Sequence, residues 1–254
     1  MSRLPLVAAA LAATLHFAAA PALAQTAPMT DEERAAFGVE VRAYLMANPE
    51  VIFEAVAEFE RRTASAQNDL DATLVEINAD AIFRDGHSWV GGNPEGDLIL
   101  VEFMDYRCGF CRRAQPETLA LLESDGNIRL VIKEFPILGP QSDVMSRFAI
   151  AALQLGGDAA YAVAHERLIT HEGDFTETSA RLLAAELGLD GDATVARMSA
   201  PEVDTVIAEN RALAQRLQIS GTPTFVMGAG SAGELLRGFL PASEMIATAQ
   251  RLRG

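Results

Sequence analysis

The run Leu98-Ile99-Leu100-Val101-Glu102-Phe103-Met104 holds a single polar residue. A strand so continuously apolar is buried on both faces, and a sheet containing it needs helices on each side. That requirement argues against an all-helical bundle and against an antiparallel sheet with one wet face. It points to an α/β fold. With 254 residues, half of them apolar and 22% charged, the chain has enough material for a sizeable core, and wholesale disorder is excluded.

The surroundings of this run agree. Asp85-Gly86 and Gly91-Gly92-Asn93-Pro94 read as turns ahead of it. The Cys108-Gly109-Phe110-Cys111 pair follows it at the start of a helix, which Pro116 is expected to interrupt. Residues 128–135 read as a second strand, joined to the first by a right-handed crossover to a parallel neighbour. From about 142 to 218 the pattern is that of several helices, punctuated by Gly156-Gly157, Gly173 and Pro201. Strand signals return at 224–227 and 234–237, and 243–252 is an amphipathic helix. The expected order is β-α-β, a helical block, then β-β-α.

The N-terminal region has a different character. Arg3, the apolar stretch 4–20 and Pro21-Ala22-Leu23-Ala24 together read as a signal peptide, 1–24, cleaved after Ala24. A membrane anchor is the weaker reading, because the A-x-A ending supplies a cleavage site and the apolar stretch is short for a span. Export places the chain in the periplasm, where disulfides persist. Residues 25–85 then read as a helical arm. Thr30 and Glu33 form a capping box, and Asn48 is expected to cap a second helix begun by Pro49. Ile52, Val56, Phe59, Leu70, Leu74 and Ile77 make a narrow apolar stripe on it, with a break or hinge expected in 63–69. Such a stripe would face water in a monomer, so the arm is expected to make a homo-oligomer, the alternative being that a hinge near Ser65 folds it back onto its own domain.

Cys108 and Cys111 are the only cysteines. As a passive staple they would close a four-residue loop, worth only about 2 kcal/mol in the chain-entropy picture. A zinc site is not expected either, since His87, His165 and His171 have no ligand spacing with the pair. Redox chemistry is the better reading. Helix N-terminal amides stabilise a thiolate at the first cysteine, while the second sits one turn inside and is shielded. A stabilised thiolate gains little as an attacking group, because nucleophilicity falls with basicity, but it is a better leaving group. That favours a disulfide donor. Arg107, Arg112 and Arg113 flank the pair and add positive field.

The segment from Val101 through Cys111, with Gly221-Thr222-Pro223-Thr224-Phe225, resembles the DsbA-like branch of the thioredoxin-fold disulfide oxidoreductases. Lys133-Glu134-Phe135-Pro136-Ile137-Leu138-Gly139-Pro140 and the Asn48-Pro49-Glu50 arm are similar to its ScsC-like exported subgroup. The resemblance implies a thioredoxin-like domain over 86–254 with a helical insertion at about 142–218. It implies Cys108 as nucleophile and Cys111 as resolving thiol. It also implies a cis-proline at Pro223, preceded by Thr222, that faces the pair and shapes the substrate groove, and Glu102 as proton relay. No cofactor and no metal are implied. The partners it implies are exported client proteins and a membrane redox partner that resets the pair. The dipeptide Gly109-Phe110 departs from the Pro-His of strongly oxidising members, so the potential is not carried over.

Several signals are set aside. Gly228-Ala229-Gly230-Ser231-Ala232-Gly233 fits G-x-G-x-x-G, but a strand rather than a helix follows, so a glycine-rich hairpin is expected instead of a nucleotide site. Tyr161 and His165, one helical turn apart, read as packing. A net charge of −15 excludes nucleic acid as a partner. The function expected is a periplasmic thiol–disulfide oxidoreductase acting as donor. The competing readings are an oligomeric isomerase or reductase and, from another class, a non-enzymatic holdase or binding protein.

Overall fold

The structure, a computed structural model, describes residues 28–254, and the expected signal peptide lies outside the described residues. The described residues divide into two units, 28–58 and 59–254.

In the first unit, α1 (Asp31–Ala47) starts at a capping box: Glu33 N–H donates to Thr30 Oγ1 at 3.3 Å and Thr30 N–H to Glu33 Oε2 at 2.8 Å. Asn48 does not cap the next helix. Its backbone and side-chain N–H groups both turn back to the Tyr44 carbonyl and close α1 instead. α2 (Glu50–Ile77) begins here and continues into the second unit. It runs through 63–69 without the expected break. That stretch holds no glycine or proline, and Thr63 Oγ1 donates to the Phe59 carbonyl inside the helix. α1 buries no residue, and Phe37, Tyr44, Met46, Ile52, Phe53 and Val56 are exposed.

In the second unit, α2 ends at Ile77, and α3 (Ala79–Phe83) follows. The buried face of α2 is Asp71 and Val75, not the stripe; Leu70 and Ile77 are exposed, while Leu74 is partly covered. The core elements are β1 (Trp89–Gly92), β2 (Leu98–Met104), α4 (Gly109–Asp125) and β3 (Ile128–Glu134). A helical block follows: α5 (Pro140–Ile169), α6 (Glu177–Glu186), α7 (Gly191–Met198) and α8 (Pro201–Arg216). β4 (Thr224–Ala229), β5 (Ala232–Arg237) and α9 (Ala242–Arg253) close the chain. The sheet order is β1-β3-β2-β4-β5, with β2 and β3 parallel and the other pairings antiparallel.

β1 occupies residues the sequence reading gave to a turn. Gly91 belongs there because the Trp89 ring folds over it: a Cβ on Gly91 would lie 2.1 Å from that ring. Trp89 in turn stacks on Tyr161 at 5.2 Å. α4 passes through Pro116 without ending, whereas α5 is kinked at Gly157, whose φ of 72° leaves the helical region. The G-x-G-x-x-G segment forms the β4–β5 hairpin, with Gly230 at φ 64° in its turn.

Strand alternation divides the core. Leu98, Leu100 and Met104 of β2 enter a cluster with Cys108, Cys111, Leu121, Phe148 and Phe225, while Val101 and Phe103 pack with Val75, Ile82, Phe83 and Leu213. By the same alternation Glu102 and Glu134 face the cysteine side, and Lys133 faces the other. Lys133 is fully buried and donates to the Ala81 carbonyl at 2.9 Å and to Asp85.

Candidate active site

Cys108 is the N-cap of α4, and its Cα lies where the chain leaves the buried strand β2. The turn is tied by Asp105, which is fully buried. One carboxylate oxygen accepts from Arg107 N–H at 2.7 Å, and the other from Ile137 and Leu138 N–H at 2.8 and 3.0 Å. The Asp105 carbonyl accepts from Cys108 N–H at 3.0 Å. Asp105 thus fastens the cysteine turn to the segment after β3. Sequence reasoning assigned it no role, although a buried Asp two residues before a turn is a familiar Asx signal.

Both cysteines carry free thiols. Cys108 is 6% exposed and Cys111 1%. The Cys108 thiol donates to the Thr222 carbonyl at 3.1 Å. Thr222–Pro223 is a cis peptide, and its loop is held by Gly238 N–H to the Pro223 carbonyl at 3.0 Å and Thr224 Oγ1 to the Gly221 carbonyl at 2.8 Å. The structure therefore brings together Cys108, Cys111, Thr222 and Pro223 from two ends of the domain.

Glu102 pairs in register with Ile132 and Phe225 and is 2% exposed; its Oε2 has no hydrogen-bond partner. Burial, followed by the charge of Glu134, pushes it up to about 8. Burial also pushes the Cys111 thiol up, and the charge of Glu102 adds to that. A proton is therefore held both on Glu102 and on Cys111 near neutral pH.

Of the three flanking arginines, two are structural ties. Arg107 donates to the Gly173 carbonyl at 2.8 Å, and Arg112 to the carbonyls of Tyr106 and His171 at 3.0 and 2.7 Å. Arg113 lies over the exposed Phe110 ring, 4.3 Å from its centroid, and 5.7 Å from that of Phe239. Tyr161 and His165 do stack, with centroids 5.9 Å apart, but they also belong to a buried hydrogen-bond cluster. Glu134 accepts from Tyr106, Tyr161 and Ser146, and Tyr106 Oη lies 3.1 Å from His165 Nδ1. No group of three His, Cys, Asp or Glu suited to a metal occurs among the described residues.

The family profile described as a DSBA-like thioredoxin domain matches residues 99–252, more than half of the chain. The chain belongs to that family. A second profile, the N-terminal domain of copper resistance protein ScsC, matches residues 33–66, on α1 and α2 of this DSBA-like protein. Its thioredoxin-like fold is shared with a thioredoxin-like oxidoreductase of Silicibacter pomeroyi, 42% identical, covering 69% of this chain and 98% of that one at a TM-score of 0.62. It is shared too with the thiol-disulfide exchange protein alpha-DsbA2 of Wolbachia pipientis, 25% identical, covering 74% and 98% at a TM-score of 0.66. A curated relative, the Na(+)/H(+) antiporter NhaA 1 of Salinispora arenicola, is 31% identical over 138 residues, 54% of this chain. The chain spans about a fifth of the length of the curated relatives it matches, 21%. Among the described residues no helix is long and apolar enough to cross a membrane.

Proposed function

We propose that this DSBA-like protein is an exported thiol–disulfide oxidoreductase that gives its Cys108–Cys111 disulfide to exported client proteins in the periplasm. The observation that carries the reading is the Cys108 thiol set against the Thr222 carbonyl, with Cys111 buried behind it. A client strand lying along Thr222-Pro223 would bring its sulfur to Cys108 and leave Cys111 out of reach. Phe110, Phe239 and Leu138, all exposed, offer apolar surface for such a strand.

In donation, a client thiolate attacks Cys108 and forms a mixed disulfide, and the Cys108–Cys111 bond breaks. Cys111 leaves as a thiolate that its buried site disfavours, and Glu102 supplies the proton. A second client thiolate then attacks the client sulfur, forms the client disulfide and releases Cys108. The client is oxidised by two electrons and the pair reduced by two. A membrane redox partner then reoxidises the pair.

One observation favours a second reading. The ScsC-type profile falls on helices whose apolar residues are exposed, which suits assembly with further copies through the arm. An oligomer kept reduced would work as an isomerase or reductase. The test is trapping in the periplasm: Cys111→Ala should accumulate mixed disulfides with exported proteins, and Cys108→Ala none. Equal trapping by both overturns the assigned roles. The redox state of the wild-type pair separates the directions, oxidised for a donor and reduced for an isomerase.

A further inference from the structure

The cysteine side of the sheet carries two buried carboxyls in opposite surroundings. Glu134, the last residue of β3, accepts from Tyr106 Oη at 2.8 Å and Tyr161 Oη at 2.6 Å on one oxygen, and from Ser146 Oγ at 2.7 Å on the other. Glu102, in the middle of β2, has an oxygen buried with no hydrogen-bond partner. A carboxyl ringed by hydroxyl donors is suited to hold negative charge, and a bare one in an apolar slot is suited to hold a proton. The two stand on adjacent parallel strands. Glu134 pairs with Met104, two residues along from Glu102, so both point to the same face.

We propose that Glu134 is a positioning residue for thiol exchange: its carboxylate, fixed by Tyr106, Tyr161 and Ser146, controls the proton that passes between Glu102 and Cys111 without touching either sulfur. The proposal rests on the oxidoreductase reading above. Resolution of a mixed disulfide shows how it acts. The Glu102 carboxylate takes the proton of the Cys111 thiol, and the Cys111 thiolate attacks Cys108. The Cys108–Cys111 bond forms as the bond from Cys108 to the partner sulfur breaks, and the partner leaves as a thiolate that solvent protonates. The pair is oxidised by two electrons and the partner disulfide reduced by two. A negative Glu134 opposes ionisation of Glu102 and so delays this base to higher pH. In donation the same charge keeps the proton on Glu102 until Cys111 needs it.

The electrostatics run in that direction. Burial and the Glu134 charge raise Glu102 to about 8. Burial raises Glu134 itself to about 7, against the pull of its three hydroxyl donors. Other ionisable groups meet Glu134 from each side: Asp105, whose charge adds to the upward push, Tyr106 and Tyr161, both held well above the ordinary phenol range by burial and by Glu134, and His165 beyond Tyr106. Burial lowers His165 to about 4, so the imidazole is neutral and brings no counter-charge. From α8, the neutral Asn210 side chain donates to the Glu134 carbonyl at 3.1 Å. Lys133, the nearest cation in sequence, lies on the opposite face with Asp85.

The test uses the full-length reduced protein and glutathione disulfide. Cys108 forms a mixed disulfide with glutathione, and the unimolecular step in which Cys111 expels it is timed from mildly acidic to mildly basic pH. The wild type should show a midpoint at about 8. Glu134→Gln keeps an oxygen toward the two tyrosines but removes the charge, and should move the midpoint down by roughly one pH unit. Tyr161→Phe, which takes a donor from the anion, should move it the same way by less, and it carries the test if Glu134→Gln does not fold. Superimposable profiles overturn the proposal, as does a slower rate with an unmoved midpoint, which is the mark of a purely structural role. A wild-type protein that forms no mixed disulfide at Cys108 overturns the oxidoreductase reading itself, and is distinct from either of those results.

Discussion

Arg237 on β5 grips the buried carboxylate of Asp71 on α2 with both arms of its guanidinium, and Arg237 itself pairs in register with Thr224, the residue after Pro223. Gln67 adds a donor to Asp71 at 2.8 Å. The last turns of α2 are thereby fastened to the hairpin that carries the Thr222-Pro223 loop. Arg237→Ala leaves Asp71 buried with one weak partner and should destabilise the domain by about 1–3 kcal/mol. Urea unfolding of Arg237→Ala, Asp71→Ala and the double variant measures the coupling. Strictly additive effects would show that the pair contributes nothing as a pair.

Glu102 gives the protein a pH signature. Its carboxyl is raised from 4.5 to about 8, so between those values the folded chain holds a proton that the unfolded chain has lost. Folding stability contributed by this group is complete below about 4.5 and falls as pH rises through about 8. Glu102→Gln has no proton to lose. Its thermal midpoint should hold up better than that of the wild type across this window, by roughly 2–4 °C for each kcal/mol retained. Parallel melting curves across the window would remove Glu102 as the source.

Lys133 and Asp85 form the ion pair on the other face of the sheet, with Asp85 also 2.8 Å from His87 Nε2. Burial works against the Asp85 carboxylate, but the His87 ring and the Lys133 ammonium beside it hold it far below the usual range. Asp85→Ala should cost about 3–5 kcal/mol, because it leaves the ammonium buried with only the Ala81 carbonyl. Lys133→Met leaves the Asp85 carboxylate its donors from the His87 and Ser88 N–H groups and Ser88 Oγ, and should cost clearly less. Chemical denaturation ranks the two. The reverse order would mean that the Asp85 carboxylate depends on the ammonium more than the ammonium depends on the carboxylate.

The arm makes a prediction about assembly. α1 buries nothing, and Phe53 and Phe59 are each at least 70% exposed. Apolar surface of that extent on a helix is covered by pairing. Light scattering should find an oligomer for the chain from Gln25 and a monomer for a chain starting near Gly86, with thiol exchange retained in the shorter form. A full-length monomer would count against the arm as an assembly device.

The order of strands and helices in the second unit was legible because it is written locally: an apolar run, a turn, a cysteine pair at a helix start, and glycines where helices stop. Glu102 could be singled out as the one charge inside a buried strand. The elements that escaped were those whose reason lies elsewhere in the chain. β1 looked like a turn because its glycine makes room for Trp89, which is invisible until that ring is folded over it. The break expected in 63–69 did not occur, since the stretch holds two alanines and no glycine or proline, and polarity alone does not end a helix.

By itself the sequence determined the chemistry available: two cysteines one helical turn apart, a buried strand ahead of them, and a proline loop over a hundred residues later. Tertiary structure decided what surrounds that chemistry. Tyr106 meets Glu134 across 28 residues and His165 across 59, and Asp71 meets Arg237 across 166. Residue type and spacing carry no mark of such pairings. They exist because strand register and helix docking bring particular side chains into one dry space, where a carboxyl must find hydroxyl donors or keep its proton.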